Sequence, residues 1–308
     1  MRLLALFLFA AALGMAQVRI YVANGGGSSI SIIDPEANRI IGEIAVSPNP
    51  YGLAPSPEGH WLYATSRTSN VLDAVDLKTN KRTRGVATGR EPSDLAVAPD
   101  TRHVFVCTAP SLDIIDTASL GRLKSIFEMK GPCRIYLTPD GTRMIVAPSA
   151  DAMLHIVNIR SMEPEFSIAA GTALHALAIE GDKNHVIHRI FAAGQSAIEI
   201  IDYASRKASG RIPVAARDLA ISPDWKTLWA TTANSVEVFS LTDLKKVATV
   251  AVGKGASGIV FTPDGKHCFV ANAEDNSVSS IDPATYQELT RIPVGKGPDH
   301  MVASEWMR

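Results

Sequence analysis

Cysteine is scarce, aromatic residues are few and neither charge sign dominates in this 308-residue chain. It has three Cys, 6% aromatic residues, and 30 Lys and Arg against 31 Asp and Glu. Each shortage excludes something. A formal charge of -1 supplies no global basic field, so general nucleic-acid binding is not expected. Three cysteines are too few for a disulfide-stapled miniature scaffold. Past the N-terminal stretch no segment approaches the roughly 20 apolar residues of a spanning helix, so no membrane span is expected. No run of like charges and no low-complexity tract marks a solvated tail. What the chain does have is 46% hydrophobic residues, enough for a substantial core and against disorder.

Motifs for common chemistries are missing as well. The sequence holds no Cys-x-x-Cys-His for covalent haem, no paired His on a helical pattern for zinc, no Gly-x-Ser-x-Gly elbow and no phosphate loop. No cofactor and no metal are therefore predicted. "ANGGGSS" at 23–29 is Gly-rich, but no helix follows it. It reads as a flexible hairpin loop, not a nucleotide loop.

The first 16 residues follow a different logic. Arg2 precedes the apolar run "LLALFLFAAAL", and Gly14 and Ala16 offer small residues for cleavage after Ala16. This pattern predicts a secretory signal over 1–16 and a periplasmic or secreted mature product, with one domain over 17–308. No Cys follows the cleavage region, which argues against a lipid anchor.

That domain repeats itself. The anchors "IYVAN", "LYATS", "VFVCT", "MIVAP", "IFAAG", "LWATT" and "CFVAN" centre on Tyr21, Tyr63, Phe105, Ile145, Phe191, Trp229 and Phe269. Periods near 40 residues indicate a repeat architecture. Within each period, short β-branched bursts alternate with turn residues such as "SPEG" and "TPDG". The pattern predicts four strands per repeat, A to D: "DLAVAP", "HVFVCT", "LDIIDT" and "RLKSIFEM" in the second period. An isolated sheet of this kind has two apolar faces, and radial stacking buries both. The N-terminal segment supplies strands B, C and D alone, and "PDHMVAS" near the C-terminus is an A strand without partners. One blade split between the two ends closes an all-β, seven-bladed propeller. "EGDKNHVIHRI" departs from the pattern and reads as an elongated A to B turn.

The segment "PDGKHCFVANAEDNSVSSIDPATYQELTRIPVGKGPDHMV" resembles the YVTN β-propeller repeat family. The resemblance covers residues 18 to 304, strongest in the first and last repeats and weakest between 150 and 190. It implies the propeller fold, and it leaves activity open among lactonase-type, haem d1-binding and quinoprotein-related relatives.

Strand counting assigns the D to A connections and B to C hairpins to one face, here the top. His60, His103 and His267 fall in A to B turns on the opposite face, scattered as surface histidines. At the start of strand A, two rings of residues approach the channel. The first reads Tyr51, Ser93, Cys133, His175, Arg217, Ser257 and Asp299; the second reads Gly52, Asp94, Arg134, Ala176, Asp218, Gly258 and His300. Tyr51, Asp94, Arg134, His175, Arg217, Asp218, Asp299 and His300 are the candidate binding residues. Asn24, Arg67, Asp151, Asn272 and Asp275 could join them from the B to C loops. A structural alternative stands beside this reading: Asp94 and Arg134 could form an inter-blade ion pair, and Arg217 and Asp218 could satisfy backbone groups at a strand end. Cys107, Cys133 and Cys268 read as three inert thiols, with a Cys107 to Cys133 bridge as the less favoured option, so stability should not respond to reductant.

No complete catalytic constellation is recognisable, which ranks a scaffold binding a small ligand or protein at its top face first. A lactonase-like hydrolase ranks second, with His175 or His300 as base and Arg134 or Arg217 as electrostatic stabiliser. A haem or quinone redox subunit ranks third.

Overall fold

The computed structural model describes residues 17–126, 128, 131–171 and 173–306; the predicted leader, 1–16, lies outside them. Twenty-eight strands build seven four-stranded antiparallel sheets, and the described residues contain no helix. The sheets are the blades of a propeller, each ordered A-B-C-D. Blade 1 is the split one: β28 (Pro298–Trp306) lies beside β1 (Gln17–Asn24), followed by β2 (Ser29–Asp34) and β3 (Arg39–Ala45). Strand A is β4 (Pro50–Pro55) in blade 2, β8 (Leu95–Val97) in blade 3 and β12 (Cys133–Leu137) in blade 4. It is β16 (Ala176–Gly181) in blade 5, β20 (Leu219–Ile221) in blade 6 and β24 (Ala256–Phe261) in blade 7.

Period-2 alternation is what stacks the blades. Tyr21, Ile30 and Ile32 of blade 1 pack with Leu53, Leu62 and Val75 of blade 2. Their sequence neighbours Ile20, Val22 and Ile33 point the other way, onto Phe269, Val278 and Ile292 of blade 7. Successive side chains thus serve successive interfaces, and neither sheet face is left wet. The aromatic anchors are the largest contributors: Tyr21, Phe105, Phe191, Trp229 and Phe269 are fully buried. Each is worth about 2 to 3 kcal/mol by burial alone.

The outer edge is managed separately. Every C to D pair carries a register shift, so one residue of strand D has no partner. Ile41, Leu123, Val247 and Leu289 occupy that place and are exposed. Such bulges twist the edge strand away from flat pairing with another chain.

The A to B turns close through a left-handed residue, which is Gly in Gly59, Gly141 and Gly265 and a side-chain residue in Thr101, His185 and Trp225. Where the preceding residue is Asp, as in Asp100, Asp140, Asp224 and Asp264, it ties the turn. Asp264 accepts from Thr262 Oγ1 at 2.7 Å and Lys266 N at 3.1 Å, and these bonds, with Thr262 first, hold its carboxyl down at about 2. In blade 5 the elongated turn runs from Gly181 to Ile187, and Asp182 takes over the tying role by accepting from the amides of Asn184 and Val186.

Candidate functional site

Three consecutive blades use the same backbone device to present residues to the channel. In blade 2, Leu53 pairs with Ala64 and Pro50 with Ser66, so Tyr51 and Gly52 together oppose Thr65. The same two-against-one bulge holds Ser257 and Gly258 in blade 7 and Asp299 and His300 in blade 1. A bulge re-aims side chains away from the regular pleat, and here it turns both ring positions out of the ladder. Blade 4 stays in register through Cys133 and Arg134.

The two rings do different work. In the second ring, side chains reach the amide of the next blade's strand A. Asp94 accepts from Ile135 N at 3.0 Å, Asp218 from Ile259 N at 3.2 Å, and His300 Nδ1 from Leu53 N at 3.2 Å. Tyr136 supplies the same bond from two residues further along, accepting from Leu177 N at 2.9 Å. Asp94 and Asp218 also accept from their own following amides, Leu95 and Leu219. These residues clamp blade to blade. The alternative ion pair of Asp94 with Arg134 does not form: Asp94 is occupied by amides, and Arg134 Nε donates to the His175 carbonyl at 3.0 Å. Where the second ring carries Gly, the reason is contact, since a Cβ at Gly258 would run into the Asp299 carbonyl and one at Gly52 into the Ser93 carbonyl.

Most of the candidate residues then converge on one cavity of about 350 Å³ at the channel mouth. Tyr51, Arg134, His175, Arg217, Asp218 and Asp299 line it, joined by Ser257, Gly258 and Ala273. His300 lies behind Tyr51, with ring centroids 6.3 Å apart and planes at 27°. Asp94 is buried beside them. Of the B to C loop residues, Arg67 reaches the site, its guanidinium carbon 3.4 Å from the Tyr51 ring centroid. Arg134 approaches the same ring at 5.3 Å. Asn24 and Asn272 are fully buried and bond to serines of their own hairpins, Asp275 accepts from Lys254 N, and Asp151 meets His155. Ala273 carries no chemical signal, and the sequence offered no way to find it.

Burial sets the electrostatics here. It pushes the Tyr51 phenol up, with Arg134 pulling against it and Asp299 adding to it, so the phenol stays neutral. Burial would pull the Arg134 guanidinium down, but the net shift is upward, with the Asp94 and Asp218 carboxylates among the groups that oppose burial, and the cation is kept. Asp218 is raised by burial, against Arg134 and His300. The histidines are tied. His175 Nε2 lies 2.5 Å from the Ala216 carbonyl and must donate to it. His300 Nδ1 accepts an amide proton, so in the neutral ring its Nε2 bears the hydrogen and no basic lone pair is left.

Two further clefts of about 540 Å³ open on the other face, one around Pro223, Lys226 and Tyr286, the other around His103, Asn158 and Arg160. They are larger but their acidic groups are occupied: in the first Asp224 pairs with Lys226 and Asp264 with Lys266, and in the second Asp100 meets His103 and accepts from Arg102 N. Size alone does not favour them.

Two expectations are corrected. Cys107 and Cys133 are not free thiols: they form a disulfide with Cα atoms 5.5 Å apart, joining blade 3 to blade 4. Strand B of one blade and strand A of the next converge toward the channel, which brings their top ends within bridging reach. Cys268 remains free and buried. Nor is the Gly-rich loop a loose hairpin. Gly25 N donates to the Gly297 carbonyl at 2.8 Å and Gly26 N to that of Lys296 at 2.9 Å. A Cβ at Gly26 would meet the Lys296 backbone at 3.1 Å, so glycine permits the approach.

With this geometry in view, comparison with known proteins places the chain among β-propellers. It is 22% identical over 293 residues to the uncharacterized protein YwhL of Bacillus subtilis (strain 168), covering 92% of this chain and 64% of that protein. Among solved structures, a hydrazine synthase chain of Kuenenia stuttgartiensis superposes with a TM-score of 0.73 at 20% identity, over 86% of this chain and 92% of that one. A candidate 6-phosphogluconolactonase of Bacteroides fragilis NCTC 9343 gives 0.77 at 18% identity, over 94% and 98%. At such identities the likeness is one of fold. The sequence profile of the YNCE-like beta-propeller family matches residues 11–267, and the chain belongs to that family.

Proposed function

We propose that this chain is an exported binding propeller whose channel mouth on the top face receives a small ligand or a segment of a partner protein. One observation carries the reading: Tyr51, Arg134, His175, Arg217, Asp218 and Asp299, drawn from five blades, share a single cavity. Loops and strand ends converge there on a rigid frame, as binding sites on propellers and barrels require. Clamping occupies Asp94, Asp218 and His300, whereas Arg217 and Asp299 keep side chains without a hydrogen-bond partner among the described residues. A hydrolase is the second reading, favoured by likeness to the candidate lactonase. The histidine geometry narrows it to one candidate base: His300 has no lone pair to offer, whereas His175, whose Nε2 donates to the Ala216 carbonyl, keeps the lone pair on Nδ1.

The test is a ligand-observed NMR screen of small polar metabolites and short peptides against the wild type, repeated on two paired variants. Arg217→Ala with Asp299→Ala should lose the hits. His60→Ala with His103→Ala, on the opposite face, should keep them. A protein that binds nothing in the screen, or that loses binding through the second pair alone, contradicts the assignment.

A further inference from the structure

Four charged side chains line the channel mouth without closing an ion pair among themselves, and the Arg67 guanidinium stands beside them over the Tyr51 ring. Arg134 belongs to blade 4, Arg217 and Asp218 to blade 6 and Asp299 to blade 1. Among the described residues none of the four closes an ion pair within 4.0 Å. Two are restrained by backbone bonds, Arg134 to the His175 carbonyl and Asp218 to the Leu219 and Ile259 amides. The other two, Arg217 and Asp299, are anchored only through their main chain. Opposite charges sharing a cavity and kept apart by the frame are an arrangement prepared for a third body.

The balance of charge restricts what that body can be. An anion drawn by Arg134 and Arg217 would face the Asp299 carboxylate without compensation, and a cation drawn by Asp299 would face the two guanidinium groups. A molecule bearing both charges can satisfy both signs at once. Arginine suits its anionic end, because the planar fork matches a carboxylate with two parallel hydrogen bonds. In the same cavity, the Tyr51 phenol can donate or accept. The volume, about 350 Å³, lies at the small end of ligand pockets. We infer that the mouth takes a small zwitterion of the amino-acid kind, its carboxylate on Arg217 and Arg134 and its ammonium on Asp299. This inference rests on the mouth being the binding surface and adds the class of ligand.

Isothermal titration of the intact protein with glycine, 4-aminobutyrate and 6-aminohexanoate, whose charges stand at increasing separation, tests it. Butyrate, butylamine and succinate serve as single-charge and dianion controls. At least one zwitterion should bind about tenfold or more tighter than all three controls, the size of one charge-assisted hydrogen bond. Arg217→Gln and Asp299→Asn, both mild at the surface, should each cost about as much. Succinate binding best, with Asp299→Asn strengthening it, would overturn the zwitterion while leaving the mouth as a site for anions. No binding by any probe would also overturn it, and the broader screen with the paired variants then decides separately whether the mouth binds at all.

Discussion

Asp94, Asp218 and His300 show how one residue position can look like a site and serve as a joint. Each accepts the amide of the next blade's inner strand, and an orphaned buried amide costs about 1 to 3 kcal/mol. Their chemistry was legible in the repeat alignment, as was their proximity to the channel. The direction of each side chain was not, because it depends on a partner 41 residues away for Asp94 and Asp218 and 247 residues away for His300. Tyr51, Arg217 and Asp299 differ: the alignment put them in the first ring, and the structure leaves them facing the cavity. Asp218 also carries a pH signature. Burial raises its pKa, so the folded state favours the proton more than the unfolded chain does. The stabilisation is complete below the unfolded value of about 3.9 and is lost as pH rises through the higher folded value. Asp218→Asn cannot titrate. Its stability relative to wild type should therefore be poorest near pH 4 and should improve toward pH 7, measured by urea unfolding at each pH. A gap that is constant, or that widens with pH, would contradict the raised carboxyl.

At the scale of the element, turns and strands could be read from the sequence, while the contacts between distant turns could not. "TPDG" and "SPEG" announced the A to B turns, and "EGDKNHVIHRI" announced the long one. The A-strand bulges in blades 1, 2 and 7 were hidden, since a two-against-one pairing leaves no mark in the hydrophobic pattern. "ANGGGSS" misled for a similar reason: its glycines answer to a backbone more than 250 residues away. The Cys107 to Cys133 bridge is the largest revision. It spans 26 residues of sequence and, in the chain-entropy view, adds about 3.5 kcal/mol. Dithiothreitol should accordingly lower the melting temperature of the wild type by several degrees and leave Cys107→Ala with Cys133→Ala unmoved. Identical melting of the wild type with and without reductant would mean that the bridge contributes nothing to stability.

At the scale of the molecule, everything at the mouth depends on ring closure. β28 pairs with β1 from Gln17 against Trp306 to Asn24 against Pro298, and it brings Asp299 and His300 into the channel. The glycine loop reinforces the seam through Lys296 and Gly297. Closure was the most legible feature of all, because strand counting at the two ends needs only the repeat. Its consequence is cooperative: without β28, β1 presents an open inner edge, Met301 leaves the interface with blade 7, and the apolar faces of blades 2 and 7 lose cover. The decisive measurement is size-exclusion chromatography coupled to light scattering, with thermal melting, on the chain ending at Lys296. Ring closure predicts an aggregated or unfolded species with no cooperative melt. A monomer that melts at the wild-type temperature would contradict it, and with it the assembly of the mouth from both ends of the sequence.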